Sequence, residues 1–159
     1  MTRKRIILDT NLLILLVAGL FDIEKVRSHK RLQNFQLPDD YDTLLLHLEG
    51  AKEIVVTPNT LTETSNLLRL IGGAPRREFT ELLGLFIQGH PEVYIASVEA
   101  SREPEFVSLG LTDAVLLHLA EQRIDGEHPR LITTDFDLVM AALERDLDVI
   151  NFNEWLSVA

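Results

Sequence analysis

Short runs of apolar residues alternate along this chain with longer stretches of helical periodicity. The apolar runs predict five strands, at residues 5–8, 53–56, 93–96, 130–133 and 148–151. The stretches between them predict helices, at residues 12–20, 40–49, 57–71, 75–88, 113–120 and 135–143. Strands that are apolar on both faces and separated by helices are typical of a parallel sheet covered on both sides. We therefore predict an α/β protein with a three-layer α/β/α fold and a five-stranded parallel sheet flanked by helices.

Residues 22–50 fit this alternation least well. Their second half predicts the helix at 40–49, capped by Asp39 and Asp40 and ended by Gly50, after a basic loop or helix. No repeat, low-complexity tract or interdomain linker is visible in the sequence. We therefore expect a single domain over residues 1–159, with a helical and basic insertion at about residues 22–50.

The ends of the helix at 57–71 carry clear sequence signals. Thr57 is a good N-terminal cap, and Pro58 fits the first turn, where its missing N–H has no intrahelical partner to lose. Gly72 and Gly73 then predict the end of this helix.

The N-terminus superficially resembles a signal peptide, because Arg3, Lys4 and Arg5 precede a long apolar run. Residues 9–11 interrupt that run with Asp, Thr and Asn, and the ten residues at 12–21 are far short of the ~20 that span a bilayer. A buried strand followed by a buried helix explains the segment better, so we expect no membrane segment and a cytoplasmic protein.

Charge is distributed unevenly along the chain. The net charge is −10, which speaks against a protein that coats nucleic acid nonspecifically. Residues 1–31 nevertheless contribute +4, and the remaining residues contribute −14. A basic edge beside an acidic body is compatible with a phosphate-bearing substrate, although a solvated charged surface explains any single one of these residues equally well.

Two aspartates occupy matching places at the ends of predicted strands. Asp9 comes after the strand at 5–8, and Asp135 comes after the strand at 130–133. Ligand sites in open α/β sheets form at the carboxyl ends of strands, and a buried charge is costly unless it is paired or bound to metal. The alternative role for each aspartate is to cap the helix that follows. Asp137 is either a further ligand or a first-turn acid favoured by the helix dipole.

Two further acids lie within predicted helices. Asp113 shares the apolar stripe of its helix, and its place in the first turn is only a partial explanation. Glu63 has Asn59 four residues before it and Asn66 three residues after it, so the three project from one side. A solvated polar face is the alternative for Glu63.

These acids supply only oxygen ligands, which suit magnesium or manganese and not zinc. The chain has no cysteine, so disulfides, thiolate zinc sites and a cysteine nucleophile are excluded. The five histidines show no metal-binding pair spacing, and we expect most of them on the surface. The sequence therefore predicts an acidic site for a divalent cation.

Four short segments resemble the motifs of the PIN domain family of metal-dependent ribonucleases. They are LDTN at residues 8–11, TPNTLTE at 57–63, LTDA at 111–114 and LITTDFD at 131–137. The segments occur in the family's order, each beside the expected strand or helix. The likeness runs from Arg5 to Phe152.

This resemblance implies a metal-dependent endoribonuclease that hydrolyses phosphodiester bonds and leaves a 5′-phosphate and a 3′-hydroxyl. It implies one or two Mg²⁺ or Mn²⁺ ions as cofactors and RNA as the substrate. The residues it implies as catalytic and metal-binding are Asp9, Glu63, Asp113 and Asp135, with Asp137 as an additional metal ligand. Asn11 and Thr133 would support them by positioning the ligand shell.

The compact bacterial members of the family are the toxin halves of toxin–antitoxin pairs, and this chain differs from them by its longer stretch at residues 22–50. The stretch puts the toxin assignment in question. It would instead supply a basic rim that guides RNA, formed by Lys25, Arg27, Lys30 and Arg31. An antitoxin protein and a homodimer are the further partners, and exposed leucines on the early helices would favour either. Two alternatives stay open: a non-catalytic nucleic-acid-binding or scaffold protein with this fold, and a metal-dependent phosphoesterase acting on DNA.

Overall fold

Short strands alternate with helices in the computed structural model, which describes residues 3–22, 24, 29–70 and 74–158. The strands are β1 (Arg5–Leu8), β2 (Glu53–Ile54), β3 (Arg130–Thr133) and β4 (Val149–Asn151). The first four helices are α1 (Thr10–Phe21), α2 (Asp39–Leu48), α3 (Pro58–Leu68) and α4 (Ala74–Gln88). The others are α5 (Ser97–Ala100), α6 (Phe106–Leu109), α7 (Leu111–Glu121) and α8 (Phe136–Glu144). Single 3₁₀ turns lie at Lys30–Leu32 and Phe152–Trp155.

The four strands form one parallel sheet in the order β2-β1-β3-β4. The register pairs Ile7 with Leu131 across the central strands, and Ile132 with Ile150 at the β4 edge. Every residue of β1 is buried, as expected for a strand covered on both faces. The prediction of an α/β fold with a parallel sheet is confirmed.

The prediction of a fifth strand at residues 93–96 is wrong. Val56 and Glu92 form only an isolated parallel bridge, in which the Val93 N–H donates to the Val56 carbonyl at 2.9 Å. Pro91 has no N–H to donate to a neighbouring strand, and α5 begins only four residues after Val93. The chain therefore leaves the sheet after one bridge, and the sheet has four strands in the described part of the chain.

Side chains alternate between two cores, one on each face of the sheet. Ile6, Leu8 and Ile132 pack with residues of α1 to α4 on one face, and Ile7 and Leu131 pack with residues of α7 and α8 on the other. This is the period-two alternation of a strand, and it sandwiches the sheet between helices. Each fully buried leucine in these cores contributes about 1.5–3 kcal/mol to folding.

The apolar run at the N-terminus forms the strand and helix predicted from the sequence. Residues 12–18 of α1 are all buried, because the helix lies between the sheet and the helices α2, α3 and α4. Gly19 lies against the ring of Tyr41 in α2, and a β-carbon built at this position falls 2.1 Å from a ring carbon. Within the described residues, no helix has both the length and the hydrophobicity needed to cross a lipid bilayer.

The predicted insertion contributes to the core. Leu32, Phe35 and Leu44 are buried in the same cluster as α1. The expected cap pair takes a different form: α2 begins at Asp39, and the fully buried Asp40 accepts hydrogen bonds from the Gln36 N–H at 2.6 Å and the Ser157 N–H at 2.7 Å. Asp40 thus ties the start of α2 to the C-terminal segment.

Helix ends agree with the sequence signals where the structure describes them. Thr57 caps α3, with Pro58 in the first turn, and Gly50 follows α2 with a φ of +77° that glycine adopts without strain. The predicted stop at Gly72 and Gly73 lies outside the described residues, as do Lys25 and Arg27 of the predicted basic rim.

Candidate metal centre

The carboxyl ends of β1 and β3 bring two of the predicted acids together. Asp9 follows β1 and caps α1, and Asp135 follows β3 and caps α8, each accepting from a backbone N–H of its helix. The Asp9 N–H also donates to the Ile132 carbonyl at 3.2 Å, which continues the pairing of the two strands past their ends. The capping role proposed for both residues is confirmed, and one oxygen of each carboxylate performs it.

Asp9 is held from both sides of its carboxylate. Its Oδ1 accepts from the Leu12 N–H at 2.8 Å, and its Oδ2 accepts from the Thr133 hydroxyl at 2.5 Å and the Thr134 N–H at 2.8 Å. The side chain is only 5% exposed, and burial raises the pKa of Asp9 although these hydrogen bonds lower it. Asp9 therefore has a fixed orientation, which is what a ligand at a structured site needs.

Thr133 joins the two strand-end aspartates. Its hydroxyl donates to Asp9 and accepts from the Asp135 N–H at 3.0 Å. Thr133 is fully buried, so this link is shielded from water. The family resemblance implied Thr133 as a supporting residue and did not include Thr134. Thr134 also donates hydrogen bonds to Asp9, from its N–H and from its hydroxyl. The paired threonines before Asp135 were the available signal.

Asp113 and Glu63 approach Asp9 and Asp135 from helices that pack on opposite faces of the sheet. Asp113 lies in the first turn of α7, and Glu63 lies in the middle of α3. Burial raises the pKa of Asp113 to about 7, together with the negative charges of Asp135, Asp9 and Glu63 in that order of effect. Three acids that are far from Asp113 in the sequence are thus close enough in space to oppose its ionisation.

A cavity of about 200 Å³ lies between these side chains. Its lining consists of Asp9, Thr10, Asn11, Arg31, Glu63, Asp113 and Asp135. The lining includes all four acids that the resemblance implies, and Asn11. Asp137 is exposed in the first turn of α8 and is not part of it.

Of the two predicted rim residues that the structure describes, Lys30 and Arg31, Arg31 lines the cavity. Its guanidinium donates to the Asn11 Oδ1 at 3.3 Å. Lys30 is exposed and does not line the cavity. The insertion therefore places a cation beside the acids, and Asn11 connects that cation to the start of α1.

The donor set suits a hard divalent cation. Every acid offers carboxylate oxygens, and Asp9 Oδ1 accepts only one hydrogen bond among the described residues, which leaves a lone pair for a ligand. Asp113 accepts no hydrogen bond from the described part of the chain, so nothing there offsets its charge. A divalent cation would remove the repulsion that raises the pKa of Asp113.

The side chains are not arranged as a finished coordination shell. Within residues 3–22, 24, 29–70 and 74–158, no three acidic or histidine side chains form a group ready to hold a metal ion. The four acids line one cavity without forming a closed shell around a single point. Mg²⁺ in particular keeps several waters and is bound through one or two carboxylates, so it does not require a closed protein shell.

Comparisons with known proteins do not assign this chain to a family. No family model matches the chain, and no curated protein matches its sequence. Functional inference therefore depends on the acids themselves and on the four short motifs that contain them.

Proposed function

We propose that this protein is a Mg²⁺- or Mn²⁺-dependent endoribonuclease that hydrolyses phosphodiester bonds in RNA. The observation that carries the proposal is the convergence of Asp9, Glu63, Asp113 and Asp135 on one cavity, where burial and mutual repulsion raise the pKa of Asp113 to about 7. A stable protein has no structural need for four converging carboxylates, because their repulsion opposes folding. An activity that depends on a bound cation would explain why the four carboxylates lie together.

In this proposal the four acids hold the metal, and their neighbours orient them. A divalent ion at such a site polarises the scissile phosphate and makes water acidic enough to attack it at neutral pH. Thr133 and Thr134 keep Asp9 in place, and Arg31 offers a guanidinium to a phosphate oxygen of the substrate. Hydrolysis would form a bond from the water oxygen to phosphorus and break the bond to the 3′-oxygen. The leaving 3′-oxygen would take up a proton as the water loses one, which gives a 5′-phosphate and a 3′-hydroxyl.

The PIN domain resemblance supports RNA as the substrate, since the acids alone serve RNA and DNA hydrolysis equally well. The α/β fold with acids at the carboxyl ends of adjacent parallel strands is compatible with that family. A cytoplasmic location, a homodimer and a toxin role with an antitoxin partner belong to the same hypothesis. A binding or scaffold role without catalysis is disfavoured, because it leaves the repelling acids without a function.

Cleavage by the wild type and by an Asp113→Asn variant tests the proposal. End-labelled single-stranded RNA and DNA of one sequence are incubated with protein in Mg²⁺, in Mn²⁺ and in EDTA. We expect metal-dependent cleavage of RNA, products with 5′-phosphate ends, and a loss of at least about 100-fold in the variant. Glu144→Gln is the matched control, because Glu144 is exposed and does not line the cavity.

Three results would contradict all or part of the proposal. Equal cleavage by wild type and Asp113→Asn would place the activity elsewhere, and cleavage that persists in EDTA would exclude the metal. Cleavage of the DNA strand alone would keep the metal centre and overturn RNA as the substrate.

A further inference from the structure

The outer face of α3 carries a second cavity next to the acidic one. This polar groove has a volume of about 360 Å³, and it shares Glu63 with the acidic cavity. Its lining consists of Pro58, Asn59, Thr62, Glu63, Asn66 and Thr112. Two amides and two hydroxyls therefore lie directly beside the proposed metal centre. Such groups both donate and accept hydrogen bonds, as the edges of nucleic acid bases require.

A third cavity of about 450 Å³ follows along the same helix. We call it the arginine cavity, and its lining consists of Ser65, Arg69, Arg76, Arg77, Thr80 and Glu81. Residues 62, 65, 66 and 69 are spaced three or four apart, so they lie on one face of α3 and at the end of that helix. The polar groove and the arginine cavity therefore adjoin. Arg69 comes six positions after Glu63, which is about 9 Å along a helix axis.

The arginine cavity carries positive charge that the described residues do not neutralise. Arg77 pairs with Glu81 at 2.9 Å, whereas Arg69 and Arg76 are exposed and form no ion pair within the described part of the chain. Three arginines against one glutamate give the lining of this cavity a positive charge, opposite in sign to the net charge of −10 of the whole protein.

The position of Arg76 also argues against a purely structural role. Arg76 and Arg77 lie in the first turn of α4, at the positive end of the helix dipole, where cations are unfavourable. Arg76 forms no ion pair within the described part of the chain, so a phosphate bound beside it would offset a charge that opposes the dipole.

We propose that the outer face of α3 is the path along which single-stranded RNA binds, an inference that rests on the proposed function. The scissile phosphate lies at the acidic cavity, the adjacent nucleotide lies in the polar groove, and flanking phosphates contact Arg69 and Arg76. A single strand fits because its unpaired bases can offer their Watson–Crick edges to Asn59 and Asn66, whereas in a duplex those edges are occupied by base pairing. The path leads away from the four acids, because their negative charges repel every RNA phosphate that is not bound to the metal ion.

Salt-dependent RNA binding tests this path. Fluorescence anisotropy of a labelled single-stranded RNA is measured in EDTA, where metal-dependent hydrolysis does not proceed, at several salt concentrations. The double variant Arg69→Gln/Arg76→Gln loses two phosphate contacts, so the slope of log K against log salt becomes shallower by about 1.4. At 0.1 M salt the affinity falls roughly 25-fold.

Two further double variants make the result specific. Arg69→Lys/Arg76→Lys keeps both charges and should retain most of the slope. Arg102→Gln/Arg123→Gln makes the same change in net charge at exposed arginines that line none of the three cavities, and it should bind as the wild type does. All variants are checked for folding by thermal melting.

The outcomes separate this inference from the nuclease proposal. A shallower slope only in Arg69→Gln/Arg76→Gln supports the path, even if the wild type does not cleave RNA. An unchanged slope in that variant, or an equal loss in the Arg102/Arg123 control, overturns the path even if cleavage at the acidic cavity is intact. Binding of duplex RNA as tight as that of the single strand would overturn the assignment to single strands.

Discussion

Replacing Asp113 by asparagine should stabilise the metal-free protein while it removes the proposed activity. The pKa of the Asp113 carboxyl is raised from 3.8 to about 7. Ionising this group therefore costs about 4 kcal/mol more in the folded chain than in the unfolded chain. Asparagine has nearly the same shape and carries no charge. Because Asp113 is only partly buried and solvent screens its neighbours, we expect a gain of about 1–3 kcal/mol at pH 8.

The gain has a defined pH dependence. Between about pH 4 and pH 7 the folded wild type retains a proton on Asp113 that the unfolded chain releases. Wild-type stability therefore falls as pH rises through this window, and the variant lacks this contribution. At pH 5 Asp113 is protonated in the folded state, so the two proteins should differ much less than at pH 8.

Urea unfolding in EDTA measures the difference in stability between the wild type and Asp113→Asn at pH 5 and at pH 8. Addition of Mn²⁺ at pH 8 should then stabilise the wild type more than Asp113→Asn, since a cation that binds only the folded state raises its stability. A variant that is no more stable than the wild type at pH 8, or whose gain is equal at both pH values, would refute the electrostatic explanation. Glu144→Gln, which removes an exposed acid away from the cavity, should change neither value appreciably.

Three further substitutions test individual parts of the structure. Arg145→Met should lower the free energy of unfolding by roughly 1–3 kcal/mol, because it leaves three glutamates without their half-buried cation, and urea unfolding measures the loss; an unchanged midpoint would contradict it. Gly19→Ala should lower the free energy of unfolding by about 1–2 kcal/mol, because the ring of Tyr41 must move and the better helix propensity of alanine offsets only part of that cost. An increased melting temperature would contradict this, since it would show that the ring moves freely. Thr133→Val should weaken Mn²⁺ binding about 10–100-fold in calorimetry and Thr133→Ser should restore it, whereas equal affinities would deny Thr133 a positioning role.

Elements with a strong local pattern could be predicted from the sequence. The strands at β1 and β3 have the predicted bounds, and α3 has its predicted cap because Thr57 and Pro58 determine that helix start within a few residues. The segment at residues 93–96 has the same apolar composition as a strand. Its failure to extend the sheet depends on Pro91 and on the start of α5, which apolar periodicity does not register.

The acids of the candidate site could be predicted individually, and their environment could not. Strand ends place Asp9 and Asp135 because neighbouring parallel strands share one edge. The sequence predicted Arg31 as part of a basic rim but could not single it out from the other rim residues as one that lines the cavity, since this depends on how the insertion packs against α1. Nor did it predict the buried Asp40, whose partners are as distant in sequence as Ser157. Contacts across the whole chain decide such features, and local patterns carry no signal for them.

Anomalous diffraction from a crystal of the wild-type protein soaked in Mn²⁺ tests the central claim most directly. We predict a manganese peak in the cavity between Asp9, Glu63, Asp113 and Asp135, with carboxylate oxygens at coordination distance and no peak in a crystal of Asp113→Asn or a much weaker one. Four carboxylates that point apart, with no manganese between them at millimolar concentration, would contradict the metal centre and the nuclease activity inferred from it.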